Sequence, residues 1–140
     1  MCRLMTLPDA TRPVRSQRRI CGTSLAMVSC NSRSVRRGDA LARGLPRGYD
    51  TLQDQLRRAL LSAHLGIAEA SSRQGADRLC RFRCARGAAC AAEAALEGVL
   101  VLNLAPEPEI LTLLVLLDGL CAMLTRLAHI GDRASGAGPA

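Results

Sequence analysis

Along residues 52–70, apolar side chains return every three or four positions. Leu52, Leu56, Leu60, Ala63 and Ile67 share one stripe, and Asp54, Arg57, Arg58 and His64 fall mostly off it. That spacing predicts an amphipathic helix. Thr51, followed three residues later by Asp54, resembles a capping box and puts the helix start near Thr51. The helix should end near Ala70, before the turn Ser71-Ser72-Arg73-Gln74-Gly75. A second stripe runs Leu79, Phe82, Ala85, Ala89, Ala92, Leu96, Val99 and predicts a helix to about Leu102, with Asp77 in its first turn complementing the dipole. Gly87, Ala88 and Ala89 make its middle narrow, which suits close approach of a neighbouring helix. Asn103, Pro106 and Pro108 break it. A third apolar pattern covers 110–130. Pro106, Glu107, Pro108 and Glu109 suit its first turn, Arg126 and His129 its last turns, and Gly131 a C-cap.

Before residue 45 the pattern weakens. Residues 1–32 carry Pro8, Pro13, Gly22 and scattered Ser and Arg without a period. The apolar run Leu25-Ala26-Met27-Val28 is too short for a secretory leader. Residues 34–43 predict only a weak helix with a thin stripe, Val35 and Leu41, closed by Gly44 and Pro46. The expected organisation is a basic, irregular arm over 1–44 containing a short first helix, a helical bundle over 45–131 and a flexible tail over 132–140. Composition agrees: Tyr49 and Phe82 are the only aromatics, and the chain is rich in the helix formers Ala, Leu and Arg. The expected fold class is therefore all-α, an antiparallel up-and-down bundle of four-helix type with a degenerate or short first helix.

The net charge of +7 is an N-terminal property: residues 1–47 hold ten Arg against Asp9 and Asp39, whereas residues 48–140 hold nine Arg against ten acids. Within the latter, Arg73, Arg78, Arg81, Arg83 and Arg86 form a basic island, and residues 87–125 carry five acids and no base. Every basic residue is Arg, which codon usage in a GC-rich genome explains; the planar guanidinium nonetheless grips phosphate through two hydrogen bonds. The seven cysteines, Cys2, Cys21, Cys30, Cys80, Cys84, Cys90 and Cys121, are odd in number and show no disulfide framework and no Cys-x-x-Cys. Cys80 and Cys84 lie one helical turn apart, but both histidines are distant in sequence. Each cysteine reads as a small core residue in a reducing cytosol. Residues 110–130 are long enough to cross the ~30 Å of a bilayer core. Asp118 near the centre would cost roughly 3 kcal/mol on insertion, so burial inside the bundle and against another copy is the favoured reading.

Several blocks resemble a known family. Gln55-Leu56-Arg57-Arg58-Ala59, Ile67-Ala68-Glu69, Arg73 and Ala85-Arg86-Gly87 are similar to motifs of the four-helix-bundle proteins encoded in intervening sequences of bacterial 23S rRNA genes, and of relatives such as the accessory protein of diversity-generating retroelements. The chain departs from that pattern with Gly66 and Ala70 where Asn and Gly are usual. The resemblance implies a non-enzymatic bundle forming a homopentameric ring, with basic surface linked to nucleic-acid binding; the retroelement relative also engages a reverse transcriptase. It further implies that Glu69, Arg86 and Gly87 are structural, the first two through a bundle ion pair or interhelical hydrogen bonds.

The leading functional expectation is a cytoplasmic homo-oligomer, pentamer-like, that binds RNA or DNA through Arg57, Arg58, Arg73, Arg78, Arg81 and Arg83, with ring symmetry multiplying a small patch. The competing reading of those arginines is a solvated face with some ion pairs. With two aromatics, base stacking is not expected. His64 reads as a surface residue. No acid–base pair, metal spacing, phosphate loop or nucleophile elbow is present, so no catalytic residue, metal or cofactor is expected. Two alternatives stand beside this: a protein-interaction scaffold using the acidic, apolar stretch from Glu93 to Asp118, and a membrane-associated hairpin of the last two helices.

Overall fold

The computed structural model describes residues 25–135, with side chains from Ala26 to Ile130; the expectations for residues 1–24 and 136–140 lie outside the described residues. Four helices, α1 (Leu25–Arg43), α2 (Asp50–Ser72), α3 (Gly75–Val101) and α4 (Glu107–Ser135), follow one another through short turns, and no strand occurs among the described residues. Such short connections set successive helices antiparallel. α1 packs on α2 and α4, α3 packs on the same two, and the diagonal pairs do not meet. This is the expected all-α, up-and-down four-helix bundle.

The core is lined as the periodicity predicts. α2 buries Leu56, Leu60, Ala63, Ile67 and Ala70, and α3 buries Phe82, Ala85, Ala89, Ala92, Leu96 and Val99. α4 contributes Ile110, Leu113, Leu117, Leu120, Leu124 and Ala128 at the same spacing. Leu52 and Leu79, at the outer ends of their stripes, are only half-buried.

Helix α1 corrects the expected short fragment. It has 19 residues and completes the fourth wall, so 25–43 belong to the bundle and not to an irregular arm. Its inward stripe is Met27, Asn31, Ser34, Gly38, Leu41 and Ala42. Four of these six, Asn31, Ser34, Gly38 and Ala42, are small or polar, so the stripe is hard to see as an apolar pattern. The buried polar groups are satisfied: the Ser34 hydroxyl donates to the Cys30 carbonyl at 2.9 Å, and the Asn31 amide pairs with His64 on α2. Gly38 lies in the contact with α2, where a Cβ would run into the Leu60 side chain.

The helix ends bring further differences. α2 starts at Asp50 with Tyr49 as N-cap and no side-chain cap, so Thr51 and Asp54 form no capping box. The N-cap falls two residues before Thr51, which places Thr51 inside the first turn and not at the cap. α3 closes as Asn103 suggests. Asn103 takes the left-handed conformation (φ 51°), its N–H donates to the Leu100 carbonyl and that of Leu104 to the Val99 carbonyl, which together make a Schellman cap. α4 runs past Gly131 to Ser135, so Gly131 is no C-cap and 132–135 are helical. The expected narrow point at Gly87 is also corrected: a Cβ there would meet nothing within 4 Å. The close approach of α2 to α3 falls at Gly66, where a Cβ would lie 3.0 Å from that of Ala85.

Candidate nucleic-acid interface

Three of the six arginines expected to meet phosphate hold carboxylates. Arg57 Nε lies 2.9 Å from Asp39 of α1, and Arg43 reaches the other oxygen of the same carboxylate at 2.9 Å. Arg73 pairs with Asp77 at 2.6 Å across the α2–α3 turn, and Arg81 pairs with Glu69 at 3.1 Å. The guanidinium of Arg78 stands 5.4 Å from the centroid of the buried Phe82 ring, covering that end of the core. Arg58 and Arg83 are exposed. For Arg57, Arg73 and Arg81 the structure thus has the ion-paired surface that was the competing reading. Exposed pairs of this kind are weak, so an incoming phosphate can exchange with the carboxylate.

The basic surface is wider than those six. Arg33, Arg36 and Arg37 project from α1 into solvent. Arg36 and Arg57 line a groove between α1 and α2, together with Val35, Asp39, Leu60 and Leu61. Arg58 and Arg81 line a second groove between α2 and α3 with Leu61, Leu65 and Glu69. Leu61 belongs to both, so the two grooves flank α2 and make one surface. Reading the sequence missed the α1 arginines because a helix seen only as a fragment could not place them. Their spacing of three and four from Arg33 was the available signal.

Glu69 and Arg86 do not pair. The partner of Glu69 is Arg81, one turn earlier on α3, and Arg86 is exposed. The expected structural contact of Glu69 with α3 is present, with a different arginine. His64 is half-buried, its Nδ1 2.9 Å from Asn31 Nδ2, so it joins α1 to α2 and is not a bystander on the surface.

The cysteines depart from the expected core role. Cys80, Cys84 and Cys90 are exposed, because the buried α3 stripe runs between them. Cys30 fits better: half-buried, its thiol donates to the Leu116 carbonyl at 3.1 Å, and burial pushes its pKa up. Cys90 and Cys121 bring their sulfurs to 3.9 Å, with Glu93 beside them. Burial raises the Glu93 carboxyl, and the charges of Asp118 and Glu97 add to that against a hydrogen bond with Cys121. The Cys121 thiol is pushed up to about 12 by burial, then by Glu93 and Cys90.

No protein-family model matches the chain, and no curated protein matches it.

Proposed function

We propose that this is a non-enzymatic, self-associating helical-bundle protein that binds RNA or DNA by its phosphate backbone, in a bacterial cytoplasm. The observation that carries the reading is the separation of surface chemistry. Arg33, Arg36, Arg37, Arg57, Arg58 and Arg81 gather on α1, α2 and the first half of α3. The second half of α3 and most of α4 hold acids and apolar side chains and no base. A surface of guanidinium groups, with Tyr49 the one exposed aromatic ring, suits phosphate contact with little sequence preference.

Self-association is supported by the outer face of α4. There the large apolar side chains of Leu111, Val115 and Ile130 face outward, Val115 being 72% exposed. A patch of that kind marks a contact surface. Several copies joined there would present several basic faces to one polyanion, and the resemblance to the intervening-sequence proteins makes a pentamer the assembly to look for. Fluorescence anisotropy with labelled RNA and DNA tests the binding. Arg36→Glu with Arg58→Glu should weaken it about tenfold or more while helicity is unchanged. Affinity equal to that of the unaltered protein would remove the reading.

The same exposed face supports a second reading, in which α4 lies against a bilayer. Carbonate extraction of a membrane fraction separates the two: release of the protein fits self-association, and retention fits membrane attachment.

A further inference from the structure

We propose that Cys90 and Glu93 of α3, together with Cys121 of α4, form a binding site for a thiophilic divalent cation, with zinc as the probe. Cys90 and Glu93 are three residues apart on one helical face. α4 packs against that face and brings Cys121 to it. The two sulfurs and a carboxylate oxygen all lie within 4.8 Å of one another. Among the described residues, this is the one group of three such donors gathered so closely.

The spacing suits a shared ion. Two thiolates about 2.3 Å from a tetrahedral zinc stand about 3.8 Å apart, whereas a disulfide needs about 2.05 Å. The observed separation is 3.9 Å. Glu93, with a carboxylate oxygen within 4.8 Å of both sulfurs, is the third donor, and zinc holds such an oxygen at about 2.1 Å. Cys90 is exposed, so the fourth position opens to solvent and takes water.

Electrostatics point the same way. Glu97 and Asp118 act on Glu93, and no Arg, Lys or His occurs from 87 to 125 on the two helices that build the cluster. The Cys121 thiol and the half-buried Glu93 carboxyl, in acidic surroundings, resist ionisation. A divalent cation reverses that balance: it binds the deprotonated ligands, releases their protons and joins α3 to α4. The ligands are 31 residues apart between helices, without a Cys-x-x-Cys, so linear spacing could not announce them.

The test uses the full chain, reduced and stripped of metal, titrated with Co²⁺ and then displaced with Zn²⁺. The expected result is one cobalt per chain, with thiolate-to-cobalt charge-transfer absorption and the intense visible bands of tetrahedral geometry. Cys121→Ser and Cys90→Ser should each abolish that spectrum. Glu93→Gln should weaken affinity about tenfold or more. The double change Cys80→Ser with Cys84→Ser should leave it intact. Far-ultraviolet circular dichroism confirms that each variant is folded; should Cys121→Ser unfold, the exposed Cys90→Ser decides the matter. No spectrum, or one that survives Cys90→Ser and vanishes without Cys80 and Cys84, would overturn the site.

Discussion

Gly87 and Gly38 show how much a single position depends on what faces it. Both are helical, yet Gly87 looks onto open space and Gly38 onto Leu60 and Leu113. Replacing Gly87 with Ala should therefore stabilise the fold by about 0.5–1 kcal/mol, the ordinary helix-propensity gain, as read from urea unfolding. Gly38→Val should destabilise it by about 1–3 kcal/mol through overpacking. The paired polar residues make a second test. His64→Ala leaves the buried Asn31 amide without its partner and should cost about 1–3 kcal/mol, and Asn31→Leu in that background should recover part of the loss. None of these roles was legible in the sequence. Which glycine is crowded, and which histidine is paired, depends on the neighbouring helix.

The elements were legible in proportion to their apolar periodicity. α2 and α3 carry Leu, Ile, Phe and Ala at unbroken three- and four-residue steps, and their buried faces match those stripes. α1 was read as a fragment because Asn31, Ser34 and Gly38 hold core positions. α4 was legible over 110–130 but not in its last turn beyond Gly131, nor in orientation, since Leu and Val occupy most of its faces. The structure sorts them: Leu117 is fully buried, while Leu111 and Val115 face outward. Leu117→Ala should thus cost about 2–5 kcal/mol in thermal or urea unfolding. Val115→Asp should leave the helix signal unchanged and lower the mass by light scattering toward the 14.9 kDa of one chain. A mass unaffected by Val115→Asp would move the self-contact elsewhere. At the end of α3, Asn103→Val should cost about 1–2 kcal/mol, because a β-branched residue resists the left-handed cap that Asn103→Gly accommodates.

Across the whole molecule, chain order maps onto charge. Basic residues concentrate early in the sequence and acids late, and the bundle sets the basic α2 diagonally across from α4. The gradient was legible in the sequence, but the surface was not. Assembling it required α1 as a complete wall and required Arg36, Arg57, Arg58 and Arg81 to fall around α2. The acidic half acquires its own chemistry in the same way, through two cysteines that meet only when α3 and α4 pack. The most direct test of this account is the affinity of the unaltered protein for RNA and DNA of mixed sequence, measured over a series of salt concentrations. The prediction is a straight, steep fall of log affinity with log salt, nearly the same for unrelated sequences, as expected when several guanidinium groups displace counterions. Absence of binding at low salt, or binding indifferent to salt, would contradict it.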